Sequence, residues 1–376
     1  MTVTRTLPSS VSVPALYVAF ELGSKGWKLG MTSGLSVVPW VTGVAVADWT
    51  AIGRVLERAK ARFGLPAAAP VVSCYEAGRD GFWIHRAVVQ LGVDNRVVDS
   101  ASIDVNRRQR RAKTDRLDAR KLVMKLVRVC LGDRDAWREV HVPSAVDEAA
   151  RHVSRERTQL TQERTRVINQ LRSWLATYGA VLPTRRPVGW WLQVWDWAGA
   201  VLPAPVQARL ERAHERLQII EAQLTTLTQT QRAAVKAAAA DSPLRRLIQV
   251  KGVAVTGASV LLDEGLVWRD FRNRRQVGGM LGFTPVPYQS GEQARDQGID
   301  RAGNSRGRAL SVQLAWRWVQ WQPSSALTQW FQRRFGAAGP RARRIGIVAL
   351  ARKLVVALWR YVTTGIVPTG ATLKTA

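Results

Sequence analysis

Cysteine is almost absent: Cys74 and Cys130 are the only 2 in the chain. Two thiols build neither a disulfide framework nor a Cys-rich zinc site, so a reducing, cytoplasmic setting is expected. Histidine is scarce as well, with 4 scattered residues, too few for a persuasive His-based metal site. Long apolar runs are missing. The stretch "VGWWLQVWDWAGAVL" is broken by Asp196 and is short for a bilayer span. The N-terminus has no charged region leading into an apolar run, so no secretory signal is expected. No amphipathic anchor or lipidation signal stands out, and no membrane partner is expected. Acid is scarce relative to base: 28 Asp and Glu face 56 Lys and Arg, a formal net charge of +28. Self-repulsion of that size disfavours compaction unless a polyanion offsets it, which points to nucleic acid as partner.

What is present is globular. Hydrophobic residues make up 46% of 376 positions, enough for two or three domains and their cores. "ALYVAFELG" (15–23) reads as a strand, "KGWKLGMT" as its hairpin partner, and "LSVVPWVTGVAVA" as a third strand weakened by Pro39. "DWTAIGRVLERAKARFG" predicts a helix capped by Asp48 and stopped at Gly64. "APVVSCYEAG" is a strand ending at Glu76, "DGFWIHRAVVQLG" a helix, "NRVVDSASI" a strand, and a helix follows near Lys113–Leu131. Three antiparallel strands followed by β-α alternation match a ribonuclease-H-like mixed sheet with helices on its faces.

The middle of the chain is different in kind. Residues 143–179 and 204–240 are spaced for two long helices. Leu210, Leu217, Ile220, Leu224 and Leu227 recur at steps of three and four or their sum, as in an amphipathic or coiled-coil seam. A central helical hairpin is expected, with a dimer contact as a further role. The Trp-rich link at 190–197 packs against these helices or against another chain. The last third begins with "VKGVAVTGA", similar to a helix-hairpin-helix turn. A Gly-rich stretch comes next, then two Trp- and Arg-rich helices up to about Thr364. The predicted boundaries are 13–135 for the sheet domain, 136–240 for the helical domain and 241–366 for a mainly helical C-terminal domain. The tails, 1–12 and 367–376, read as disordered.

Carboxylates carry the chemistry. Glu21 sits within an apolar strand, where an unpartnered acid is costly. Glu76 ends another strand. Asp115 and Asp118, in "RRQRRAKTDRLDARKL", stand three apart and share a helix face. In a ribonuclease-H-like sheet these elements converge at one edge. Four carboxylates there would repel unless a divalent cation sat between them, and oxygen-only ligands suit Mg²⁺ or Mn²⁺. Two such ions suit phosphoryl transfer. The plain alternative is that Asp115 and Asp118 are helix-start residues after the cap Thr114 and that Glu76 closes a turn. The arginines Arg107, Arg108, Arg110 and Arg111, with Lys113, read as contacts to a nucleic-acid backbone.

"CYEAGRDGFWIHR", "VVDSASIDVNRRQRRAKTDRLDARKL" and "LGFTPVPYQSGEQARDQGIDRAGNSRGRAL" together resemble the DEDD-class transposases of bacterial insertion sequences, insertion sequence family 110. The resemblance covers most of the chain. It implies a RuvC-like N-terminal domain, a central helical stretch and a C-terminal transposase domain. It places Glu21, Glu76, Asp115 and Asp118 at the four acidic positions and makes Ser290, in the "SG" motif, the nucleophile. The family's first acid is commonly Asp, whereas this chain has Glu21, one methylene longer. The resemblance further implies excision through a circular form, target choice guided by a structured RNA from the element, and DNA as substrate, in or near the nucleoid.

Ser290 precedes Gly291 in a Gly/Pro-rich stretch, where a hydroxyl on a turn can be exposed; as a weak nucleophile it needs a base or metal for activation. Ser305 in "AGNSRGRAL" is its rival. Neighbouring Arg301, Arg306 and Arg308 read as phosphate clamps. Recombination handles two DNA segments, so a homodimer or higher homo-oligomer is expected. Two other functions fit part of the pattern. A structure-selective endonuclease of the Holliday-junction resolvase kind needs the carboxylates but not Ser290. A non-catalytic nucleic-acid-binding protein needs neither.

Overall fold

The computed structural model describes residues 14–103, 115–133, 136–290 and 293–374. The chain divides into two compact units, Met1–Val142 and Pro143–Ala376. The expectation of a disordered N-terminal tail lies outside the described residues, as does the basic run Arg107, Arg108, Arg110, Arg111 and Lys113.

The first unit follows the expected order of elements: β1 (Leu16–Leu22), β2 (Trp27–Thr32), β3 (Trp40–Val44), α1 (Trp49–Arg62), β4 (Val71–Glu76), α2 (Trp83–Gln90), β5 (Asp94–Val98) and α3 (Asp115–Cys130). The sheet runs β3-β2-β1-β4-β5. β1 to β3 pair antiparallel, whereas β1, β4 and β5 are parallel. This five-stranded mixed sheet is compatible with a ribonuclease-H/RuvC-like domain. Strand β3 is shorter than its sequence suggests. The Thr32 hydroxyl donates to Gly34 O and Val37 O, closing a turn, so pairing resumes only after Pro39.

Alternation along the strands splits the sheet's two faces. Leu16, Val18 and Phe20 face a core with Ile52, Leu56 and Ile84 of the helices α1 and α2. Ala19 and Cys74 face the other side, against Leu122, Val123 and Leu126 of α3. The unit continues past residue 135, because Trp137 joins the second of these cores and Val140 and Val142 pack on the first.

The second unit contains α4 (Ala145–Ala176) and α5 (Ala204–Ala237), then α6 (Pro243–Gln249), α7 (Val255–Leu261), a π-helical turn (Leu262–Leu266) and α8 (Arg274–Met280). A two-stranded ribbon, β6 (Pro285–Ser290) and β7 (Gln293–Ile299), precedes α9 (Ser305–Trp321), α10 (Ala326–Phe335) and α11 (Pro340–Thr364). Helices α4 and α5 run antiparallel. Arg157 donates to Thr228 Oγ1 at 2.7 Å, Arg164 pairs with Glu221 at 3.8 Å, and Arg209 stacks 3.8 Å from the Trp174 ring. Leu171, Leu210 and Leu217 form their seam, and the link between them buries Trp190 and Trp191 beside His214.

Two expectations for the C-terminal region need correction. Three helices, not two, follow the ribbon, because Ser325 caps α10 and separates it from α9. Residues 367–374 are built into the unit. Leu373 bridges Val250, and Lys251 N donates to Thr372 O. Gln322 Nε2 also donates to Thr372 O, at 2.8 Å.

Candidate functional site

In the first unit, β1 and β4 lie side by side in parallel, with Phe20 opposite Tyr75. Glu21 and Glu76 are the next residue on each strand, so both carboxylates come off adjacent strands at the same end. They line one cavity of about 530 Å³ with Ser24, Arg79, Asp80 and Ser100. Tyr75 stiffens the cavity's rim: its hydroxyl donates to Gly81 O at 3.1 Å. Each acid lies two residues beyond a side chain that faces α3, namely Ala19 and Cys74. Side chains two apart on a strand share a face, so Glu21 and Glu76 lie on the face that α3 covers.

Helix α3 approaches that face closely because β2 carries Gly30 there. A Cβ on Gly30 would meet the Ala119 carbonyl oxygen at 2.6 Å. Gly30 pairs with Ala19, so Ala119 sits level with the middle of β1. Cys130, at the far end of α3, interacts electrostatically with Tyr17 near the start of β1. The helix therefore runs against β1, and its first turn, with Asp115 and Asp118, points to the end where Glu21 lies. Asp115 is exposed and Asp118 half-buried.

The four predicted acids thus share one face and one end of the sheet, but they are gathered only in part. Glu21 and Glu76 share a cavity; Asp115 and Asp118 do not line it. Among the described residues, no group of three or more His, Cys, Asp or Glu is placed to hold a metal ion. The expected four-carboxylate cluster is therefore not assembled in this structure. The donors themselves, carboxylate oxygens without thiol or imidazole, fit a hard divalent cation.

In the second unit, Ser290 closes β6, with its backbone paired to Gln293 of β7. The geometry around the ribbon depends on the loop that follows it. Asp300 accepts from Ala302 N at 3.1 Å, and Arg301 adopts a left-handed φ of 58°. Gly303 has no room for a side chain: a Cβ there would meet Gly282 N at 2.6 Å and Met280 O at 2.7 Å. Asn304 caps α9, accepting from Gly307 N at 2.9 Å. Ser305 is exposed in the first turn of that helix.

The three arginines near this loop differ. Arg306 donates to Ser154 O and Thr158 Oγ1, both at 2.9 Å, and pairs with Glu264 at 3.2 Å. Arg308 donates to Leu281 O and Arg301 O, both at 3.0 Å. Both guanidinium groups are therefore engaged by the protein, holding the loop and α9 in place. Arg301 is exposed and lines a large groove.

Glu264 is the residue that sequence reasoning missed. It is 1% exposed, on the π-helical turn. It accepts from Asn304 Nδ2 and pairs with Arg151 at 3.5 Å and Arg155 at 3.4 Å, both on α4. Burial pushes its carboxyl up, but the hydrogen bonds from Asn304 and Arg155 and the charges of Arg155 and Arg151 outweigh that, so it is held below the ordinary glutamate value. Its neighbour Asp263 is pushed up to about 6, mainly by burial and also by the Glu264 charge. The only signal in sequence is a pair of acids in an apolar run, "VLLDEGLV".

With this geometry in view, two family profiles match. One, described as "Transposase IS116/IS110/IS902 family", covers residues 244–329, from α6 to α10. The other, of the DEDD IS110 type and described as "Transposase", covers residues 70–180 and so includes Glu76, Asp115 and Asp118. A Sinorhizobium fredii protein named "Putative transposase y4rJ" is 37% identical over 97% of this chain and 96% of its own. A Pseudomonas aeruginosa "Probable family 20 transposase" is 29% identical over 60% of this chain and 67% of its own. The "Transposase for insertion sequence element IS1328" of Yersinia enterocolitica is 26% identical over 57% of this chain and 62% of its own. No described helix is long and apolar enough to cross a membrane. The chain belongs to the IS110 family of transposases and acts on DNA.

Proposed function

We propose that this transposase cuts and rejoins the strands of an insertion sequence through a covalent link between Ser290 and DNA. The Ser290 hydroxyl oxygen attacks a strand phosphorus and loses its proton. The bond from that phosphorus to one sugar oxygen breaks, and the sugar leaves as a free hydroxyl. A hydroxyl of another strand then attacks the phosphoserine, restoring serine and joining the new pair of ends. The phosphodiester energy is kept throughout, so no external energy source is needed.

Glu21, Glu76, Asp115 and Asp118 would hold Mg²⁺ or Mn²⁺. A divalent ion held there supplies charge neutralisation at phosphate oxygens. The observation that carries this reading is the pair Glu21 and Glu76 on adjacent parallel strands, lining one cavity on the face covered by α3. Glu21 replaces the family's usual Asp, and its extra methylene lets the carboxylate reach further from β1. The basic run from Arg107 to Lys113 would contact the nucleic-acid backbone, and a structured RNA encoded by the element would select the target. The antiparallel pair α4 and α5 would serve as the contact between copies in a homodimer or larger assembly.

The deciding experiment traps a covalent protein–DNA adduct during strand cleavage and maps the modified residue by peptide mass spectrometry. An adduct on Ser290, absent from Ser290→Ala, is expected. Undiminished metal-dependent hydrolysis by Ser290→Ala would instead identify a resolvase-like endonuclease, and an adduct on Ser305 would move the nucleophile.

A further inference from the structure

We infer that the groove running along α11 in the second unit is a binding site for the phosphate backbone of DNA. It encloses about 1490 Å³ and is walled by α11, α8 and the base of the β6–β7 ribbon. One continuous face of α11 forms its length. Arg341, Arg344, Arg352, Lys353 and Arg360 line it at helical spacing, with Ile345, Val348 and Val356 between them. Arg274 and Arg275 enter from α8, and Arg301 from the loop after β7.

Charge decides what the groove takes. Among the described residues, no Asp or Glu lines it and none of these cations forms an ion pair with a carboxylate. A row of cations without counter-charge is unfavourable unless a polyanion supplies it. The apolar floor excludes a highly hydrated small anion as the natural occupant but suits the apolar faces of deoxyribose rings. Length fits as well: Arg341 to Arg360 covers about 28 Å of helix axis at 1.5 Å per residue. That matches about eight phosphates of one B-form strand at 3.4 Å each.

The groove also lies where a strand would be used. Pro285, at the start of β6, lines it, and Ser290 is at the other end of that strand, about 16 Å away at 3.3 Å per residue. The site rests on the chain's being a DNA transposase, but not on Ser290 as nucleophile. Its test therefore reads binding without cleavage.

The full-length protein is titrated, in chelator, with a fluorescent random-sequence DNA duplex over a range of salt concentrations. The groove variant is Arg341→Gln/Arg344→Gln/Arg360→Gln, all three exposed. The control is Arg54→Gln/Arg58→Gln/Arg62→Gln, which removes the same charge from exposed positions on α1. The groove variant should bind at least about tenfold more weakly than the control, and its log–log salt slope should fall by about two to three. Equal affinities and slopes for the two variants would overturn the site, and so would a loss confined to an RNA duplex probe. A second measurement needs no variant. Bound DNA should shield Arg344 and Arg360 of the wild-type protein from phenylglyoxal while Arg54 and Arg58 stay reactive; equal reactivity with and without DNA counts against the groove.

Discussion

Arg306 places its guanidinium 3.2 Å from Glu264, a carboxylate 1% exposed, and the same carboxylate accepts from Asn304. The buried acid thus ties α4, the π-helical turn and the start of α9 together. Glu264→Ala would leave Arg151 and Arg306 without their counter-charge and deprive Asn304 Nδ2 of its acceptor. Arg155 is 47% exposed and loses least. The variant should be destabilised by about 3–5 kcal/mol, the usual cost of removing one partner from a buried ion pair. Urea unfolding measures this directly. A loss under about 1 kcal/mol would mean that solvent already screens the cluster.

Asp263, next to Glu264, gives the fold an opposite dependence on pH. Its carboxyl titrates near 6 in the folded chain against 3.8 unfolded. Between those values the folded state holds more protons than the unfolded state, so rising pH lowers stability. The penalty is complete above about 6 and absent below 3.8. Glu264 works the other way: its carboxyl is held low, so its stabilisation is present above 4.5 and is lost as pH falls through the folded value. Asp263→Asn should therefore gain stability over wild type above about pH 6, on the order of 2 kcal/mol, and lose that advantage in acid. A pH-independent difference between the two proteins would remove Asp263 as its source.

Much of the first unit was legible because its signals are local. Strand alternation, the Asp48 cap and the Gly64 stop each act over a few residues, and the order of elements followed from them. Glu21, within one apolar strand pattern, and Glu76, at the end of another, stand out in the sequence for the same reason. The Glu264 cluster was not, because its partners lie 40 to 113 positions away in sequence. Arg306 looked free for phosphate only because Ser154 and Thr158, which hold it, belong to a distant helix. The tail at 367–374 has the polar, Gly- and Thr-rich composition of a disordered end, but its backbone pairs with Val250 and Lys251. Pairing between remote backbone segments leaves no periodic trace in either one.

At Gly30, α3 and the sheet meet closely. Gly30→Ala would drive a methyl into the Ala119 carbonyl, 2.6 Å from the new Cβ. The contact is backbone, so no side chain can turn away. Overpacking of this kind costs about 1–3 kcal/mol. Because Ala119 directly follows Asp118, the displacement should reach the acidic turn. Gly30→Ala should thus lower both the melting temperature and metal-dependent strand cleavage. A variant as stable and active as wild type would show that α3 moves without consequence for the acids.

The carboxylate pair itself is open to a test that needs no DNA. Glu21 and Glu76 lie on neighbouring strands and share a cavity, so each should contribute to holding a divalent ion. Saturating Mn²⁺ or Mg²⁺ should raise the wild-type melting temperature, because an ion bound only by the folded state stabilises it by mass action. Glu76→Gln keeps the shape of the side chain but removes its charge, and should abolish most of that rise. Glu21→Asp restores the residue usual in the family and should keep it, whereas Glu21→Gln should not. If Glu76→Gln and wild type respond equally to metal, the ion is held elsewhere and the acidic reading of this cavity fails. If Glu21→Asp responds less than wild type, the longer side chain is required for reach, and the surrounding strand geometry has adapted to glutamate.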